Sequence, residues 1–184
     1  MNILSFIHPI RTYLPCSGVG RHANNVLLRL AGREDVRQEL FFSEEWLSDD
    51  GQLTPETPLR ELPFQSFPYP ENLTERAWKV LGRPRMDRWV PEKTDVVYAP
   101  VETYLPVRKY PVAVTIHDIQ AFETDLPWSQ TWAHRWFRWK WTTRIYDTLR
   151  EHDAVFTVSE FSKWRMMDRL GANTNNIVVV GDGV

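Results

Sequence analysis

The sequence predicts an α/β fold, a three-layer domain with a mostly parallel central sheet. Two observations carry that expectation. Residues 95–99 (DVVYA), 112–116 (VAVTI), 154–158 (AVFTV) and 177–180 (IVVV) are apolar runs without polar alternation. Strands covered on both faces read that way, whereas half-solvated strands alternate. Between the later runs lie two stretches of helical patterning, near 129–151 and 160–170, the second stopped by Gly171. Alternating strand and helix is the pattern of βαβ units, and βαβ units pair their strands in parallel.

The earlier elements follow from the same reasoning. Residues 2–7 form a short apolar run with β-branched members, expected as a buried strand. A ten-residue loop follows, and from Val19 the positions of Val26, Leu27 and Leu30 fit one helix face. Residues 39–42 are expected as a second strand and 74–81 as a short helix. Between those two, residues 43–70 are proline-rich and acidic: Glu44, Glu45, Asp49, Asp50, Glu56 and Glu61 stand against Arg60 alone. That composition predicts an irregular, solvated excursion.

Bulk properties exclude several classes. At 184 residues the chain suits one domain, and a domain of that size buries about 70% of its unfolded surface. Hydrophobic content of 42% and charged content of 25% are those of a soluble globular protein. A net charge of −2 gives no electrostatic drive toward nucleic acid. One cysteine, Cys16, builds no disulfide framework and points to a reducing, cytoplasmic setting. The opening residues lack the basic flank and long apolar core of a signal peptide, and no window approaches 18 uninterrupted apolar residues. Neither a zinc-type Cys/His spacing nor a hydrolase-type triad pattern is present.

Ligands of open parallel sheets bind beyond the carboxyl ends of the strands, so the residues there are the functional candidates. Downstream of the first strand stands Ser17-Gly18-Val19-Gly20-Arg21-His22-Ala23. As a string it satisfies the loose G-x-G-x-x-A dinucleotide fingerprint, but Gly18 lies ten residues past His8, too far for the tight turn a nicotinamide site needs. Glycines at a helix start still admit an anionic oxygen to free N–H groups; a plain loop-to-helix turn explains the string equally well. After VAVTI comes His117-Asp118. A histidine there can donate to a hydroxyl or shuttle a proton, with Asp118 fixing its tautomer, orienting a substrate hydroxyl or capping a helix. A helix-capping His-Asp pair is the competing explanation. After AVFTV, Ser159 and Ser162 offer hydroxyl and N–H donors to a ligand, or simply cap the next helix.

Nine tryptophans are the compositional oddity, and several fall between Trp128 and Arg150. At helical spacing Trp128, Trp132, Trp136, Trp139 and Tyr146 share one face, with Phe137, Trp141, Ile145 and Leu149 opposite. Arginines and a lysine make the stretch basic. A helix apolar on two sides is expected to be buried between the sheet and another element. The competing reading has one Trp/Arg face resting on an anionic membrane or a lipid-linked acceptor, peripheral to the inner membrane.

Taken together, these segments resemble the retaining GT-B glycosyltransferases of the large group-1 (family 4-like) family. SGVGRHANNVLLRL stands in place of the family's glycine-rich turn after the first strand. DVVYAP resembles its central strand, VAVTIHDI its Thr-Ile/Val-His-Asp segment, HDAVFTVSEFSK its Thr-Val-Ser segment, and NIVVVGDGV the segment closing the N-terminal domain. Five weak motifs in the family's order cover nearly the whole chain. Ser17 departs from the usual first glycine, and Asp182 stands where Asn is commoner.

The resemblance implies that residues 1–184 are the N-terminal, acceptor-side Rossmann-like half of a GT-B enzyme, inactive alone because the nucleotide-sugar-binding C-terminal domain is absent. The full enzyme would transfer a hexose, with retention, from a nucleotide-diphosphate sugar to an acceptor hydroxyl. The acceptor would be a glycan or lipid-linked saccharide of bacterial polysaccharide or lipopolysaccharide assembly. No cofactor and no metal are implied. His117 and Asp118 are the expected catalytic positions, and Gly18, Gly20, Arg21 and Ser159 the donor- or acceptor-binding ones. A non-catalytic, flavodoxin-like α/β binding or regulatory domain is the alternative, and a nicotinamide enzyme a more distant one.

Overall fold

A computed structural model describes residues 1–181, which divide into two compact units. The first holds residues 1–101 and 105–112, and the second holds 102–104 together with residues from Ala113 onward.

In the first unit β1 (Asn2–Phe6) pairs in parallel with β2 (Arg37–Ser43) on one side and β4 (Val96–Ala99) on the other, and β2 pairs in parallel with β3 (Phe64–Phe67). Helices α1 (Pro9–Thr12), α2 (Gly18–Ala31) and α3 (Glu71–Leu81) connect them. The short turn α1 interrupts the expected ten-residue loop: Pro9 supplies a pre-set φ at its start, and Thr12 closes it by donating to the Pro9 carbonyl at 2.7 Å. The core is aromatic. Phe6, Phe41, Phe67 and Trp78 are nearly inaccessible, with Phe6–Trp78 centroids 5.6 Å apart and Phe41–Phe67 5.2 Å apart. Trp78 keeps its polar end satisfied by donating Nε1–H to the Pro84 carbonyl at 2.8 Å.

Residues 43–70 are not the solvated excursion that their composition predicts. They contain β3, and Leu53, Leu59 and Phe67 are fully buried. The acidic residues stand before and among these anchors, so average composition misjudges a segment that a few buried apolar side chains hold down. Ser43 ends β2 by accepting from the Glu45 amide, and its hydroxyl donates to the Tyr69 carbonyl at 2.7 Å.

In the second unit β5 (Val112–Thr115), β6 (Ala154–Thr157) and β7 (Ile177–Val179) pair in parallel in that order. Helices α4 (Trp132–Glu151) and α5 (Glu160–Leu170) join them. Both begin on a hydroxyl cap, Thr131 accepting from the His134 amide and Ser159 from the Ser162 amide. Gly171 ends α5 at φ 63°, the left-handed conformation that costs glycine nothing. Val114, Ile116, Ile145, Val155, Met166 and Ile177 form the core. All these strand pairings are parallel, and helices join β1 to β2, β3 to β4, β5 to β6 and β6 to β7, which is the Rossmann-like α/β class expected from the apolar runs.

Helix α4 lies differently from the expectation. His134, Ile145 and Thr148 are buried, and half-buried Arg138 and Trp141 continue that stripe. Trp132, Trp136 and Trp139 are 80%, 57% and 70% exposed. The tryptophan face therefore points to solvent, and the burial of both apolar faces does not occur. Trp128 and Phe137 lie outside the side chains described, as does the Asp182-Gly183 part of the closing motif.

Candidate functional site

In the second unit the candidate residues form one connected group. Thr115 ends β5, and two residues later His117 is 8% exposed. Its ring Nδ1 lies 3.1 Å from Glu102 Oε1, and its backbone N–H donates to the same oxygen at 2.9 Å. Glu102 is itself 6% exposed. Burial drives its carboxyl pKa up, but the His117 ring and amide outweigh that and hold it below the ordinary carboxylate value. The carboxylate that fixes the histidine is thus Glu102. Asp118, adjacent in sequence, instead accepts from the Gln120 amide at 2.9 Å, just ahead of the turn Gln120–Phe122.

Ser159 and Ser162 complete the group. Ser159 Oγ accepts from the Ser162 amide at 3.1 Å and lies 3.1 Å from Ser162 Oγ, and Ser162 Oγ donates to the His117 carbonyl at 3.1 Å. The first turn of α5 is therefore bonded to the main chain of His117. Beside this network is a cleft of about 590 Å³ lined in part by Asp118, Gln120, Leu126, Phe161, Ser162 and Arg165. Glu123 and Asp125 also line it. Arg165 is committed to its wall: Nε donates to Glu123 Oε1 at 2.6 Å, the other arm pairs with Glu123 Oε2, and Nη1 lies 3.3 Å from Asp168. Asp125 is paired with Arg169. The cleft thus offers carboxylate, amide and hydroxyl groups beside the exposed ring of Phe161. Such a lining suits a polyhydroxylated ligand.

The first unit holds the glycine segment. Ser17 caps α2, accepting from the Gly20 amide at 3.3 Å, so Gly18 is already the first helical residue and Arg21 sits exposed in the first turn. Neither glycine has positive φ. What distinguishes them is space. A Cβ on Gly20 would lie 2.0 Å from the Arg11 carbonyl oxygen and 2.9 Å from Cys16 Cβ, whereas one on Gly18 meets nothing within 4 Å. Gly20 is used up in packing α2 against the loop, and Gly18 leaves its helix start open.

Two features escape a sequence reading. Glu102 stands fifteen residues before His117 in no recognisable motif; its one signal is an acid just past the carboxyl end of a buried apolar run. The second is in the first unit, where His8 sits between two carboxylates of α3, Nδ1 2.7 Å from Glu71 and Nε2 3.3 Å from Glu75, with Trp46 Nε1 donating to Glu71 at 2.7 Å. Their ligand atoms lie within 4.8 Å of one another, so the three could hold a cation. With a carboxylate near each ring nitrogen, the set ties α3 to the chain leaving β1.

The comparisons agree with this architecture. No curated protein matches the chain. The sequence model of Glycosyltransferase Family 4 matches residues 16–184, from just ahead of the Ser17 cap through both units, and the chain belongs to that glycosyltransferase family.

Proposed function

We propose that this chain is the acceptor-side half of a retaining GT-B hexosyltransferase, whose partner domain binds the nucleotide-diphosphate sugar. The observation that carries this reading is the charge of the 590 Å³ cleft. Asp118, Glu123 and Asp125 line it, and Arg165, the cation among its described lining residues, is spent on Glu123. With Glu123 paired to Arg165 and Asp125 to Arg169, the described lining holds no cation free for a diphosphate, while its oxygens accept hydrogen bonds from sugar hydroxyls, with Phe161 as a stacking platform. The leaving diphosphate then needs cations and helix N-termini supplied by the other domain, so this chain alone does not turn over substrate. The acceptor is a glycan or lipid-linked saccharide of the kind consumed in polysaccharide or lipopolysaccharide assembly.

In this reading His117, set by Glu102, contacts the transferred sugar, and Asp118 and Ser159 orient acceptor hydroxyls. The open start of α2 at Gly18, with Arg21 beside it, receives an anionic or hydroxyl oxygen, and Gly20 keeps that start seated. The test is a donor screen on the enzyme containing this domain, following nucleotide-diphosphate release. His117→Ala is expected to lower kcat by at least about a hundredfold. Asp118→Asn, at an exposed position, is expected to raise the acceptor KM without shifting the melting temperature. Near-normal turnover in His117→Ala refutes its role.

A further inference from the structure

The chain leaving β1 and the first turns of α3 bring together side chains that sugar transfer does not use. His8 is 5% exposed, and its ring stands edge-on to Phe6 with centroids 5.1 Å apart. Nδ1 lies 2.7 Å from Glu71 Oε1. A carboxylate has no proton to give, so Nδ1 carries the hydrogen and donates it. Glu71 is held in turn: its other oxygen accepts from Trp46 Nε1 at 2.7 Å, and its amide donates to Glu45 at 2.6 Å. With the hydrogen on Nδ1, the neutral ring keeps a lone pair on Nε2. That atom is buried, makes no hydrogen bond among the described residues, and lies 3.3 Å from Glu75 Oε1. Glu75 follows Glu71 by four residues and shares its face of α3. Within reach yet unbonded, the Glu75 oxygen stands off the line that a hydrogen on Nε2 would take.

We infer that His8 Nε2 and Glu75 Oε1 are protein ligands of one divalent ion of the zinc class, with Glu71 orienting the imidazole. A histidine that binds a metal through one nitrogen characteristically donates the other N–H to a carboxylate, as Nδ1 does here to Glu71. Bonds of about 2.0–2.1 Å in a tetrahedral site put neighbouring ligand atoms about 3.4 Å apart, which the 3.3 Å separation of Nε2 and Glu75 Oε1 matches. The ion, not the second ligand, then lies on the lone-pair axis, so an off-axis oxygen is wrong for a hydrogen bond and right for a shared ion. A nitrogen donor beside a carboxylate selects zinc-like ions over magnesium or calcium. Two protein ligands leave the other positions to water or further oxygens. Phe6 and Glu71 fix the ring before any ion arrives. The family resemblance implies no metal, and the site uses none of the residues proposed for sugar transfer, so the inference stands apart from that reading.

The experiment is calorimetric titration of the metal-free full chain with zinc chloride near neutral pH, with a nitrogen NMR spectrum of the His8 ring before and after zinc. One saturable site per chain is expected, for which magnesium chloride does not compete. The ring is expected to carry its proton on Nδ1 alone, and zinc to shift the Nε2 resonance. Glu71→Gln, which removes only the charge behind the ring, is expected to weaken zinc binding by roughly tenfold to a hundredfold. Glu75→Gln, which removes a ligand, is expected to weaken it by at least about a hundredfold. Both positions are mostly buried, so denaturation midpoints in chelator establish that each variant is folded. The titration and spectrum of the unsubstituted chain decide the proposal even where a variant is not. Three results each overturn it: no saturable zinc site, unchanged zinc binding in folded Glu75→Gln, or a ring protonated on both nitrogens that zinc does not alter. The last would assign the set to an imidazolium held between two carboxylates.

Discussion

At the start of α2 the fit is made by backbone. The missing Cβ of Gly20 lets the first helical turn meet the Arg11 carbonyl, and Ser17 alone caps the end. At the start of α5 the same job is done by side chains: Ser159 caps, Ser162 reaches back to the His117 carbonyl, and Glu102 takes both the amide and the ring of His117. Both segments lie downstream of a parallel strand. The first is held by shape, through the Arg11 main chain and the Cys16 Cβ. The second is held by a buried polar network whose members depend on one another's charge and hydrogen-bonding state. Shape fails when volume is added, and a network fails when a partner or a proton changes.

The largest effect is expected from breaking the network. Glu102→Ala leaves a buried amide and a buried imidazole without their carboxylate, and is expected to cost about 3 kcal/mol in chemical denaturation. Glu102→Gln keeps an acceptor in place and should cost roughly 1 kcal/mol. Equal losses for the two would mean that shape, not charge, matters there.

Acid sharpens the contrast next. His152, ending α4 and stacked on Tyr104 with ring centroids 5.7 Å apart, is pushed down by burial to about 4, against the opposing pull of Glu151, Asp153 and the Thr103 carbonyl. The unfolded chain protonates this residue near 6.5 and the folded one near 4, so stability is complete above 6.5 and drains away between those values. The loss approaches about 3 kcal/mol. Glu102 adds to it lower down: its depressed pKa contributes stability above the ordinary carboxyl value, lost as pH falls through the lowered one. A pH series of denaturation midpoints, with His152→Gln flattening the limb between 6.5 and 4, checks the sign.

The smallest effects concern the two glycines. Gly20→Ala forces the Arg11 backbone to move and is expected to cost about 2 kcal/mol, by the same amount at every pH. Gly18→Ala meets nothing, and is expected to stabilise by up to about 1 kcal/mol through lower unfolded-state entropy and better helix propensity. Thermal melts of the pair at two pH values separate shape from charge.

Much of this fold is legible in the amino-acid order. VAVTI, buried at every position, announces itself, AVFTV does so although one of its faces is only half-buried, and Gly171 stops α5 where a left-handed residue is required. β3 is missed because FQSF is short and stands at the edge of its ladder, only Phe67 fully covered, amid prolines and acids. The facing of α4 cannot be read because both of its stripes are aromatic; position relative to the sheet, not hydrophobicity, decides which one is covered. For the candidate site, His117 and Ser159 are visible as strand-end residues, and the distinction between Gly18 and Gly20 is not, since it rests on where the Arg11 carbonyl passes. Glu102 is hidden because its partnership with His117 is tertiary.

The Ser162 hydroxyl that reaches the His117 carbonyl has one more consequence. It ties the first turn of α5 to the main chain of His117 in the folded protein, so in the proposed acceptor role this part of the cleft wall is ordered during folding and not at association. Under the proposed function, selectivity among acceptors then follows from which hydroxyl pattern the pre-placed groups already match.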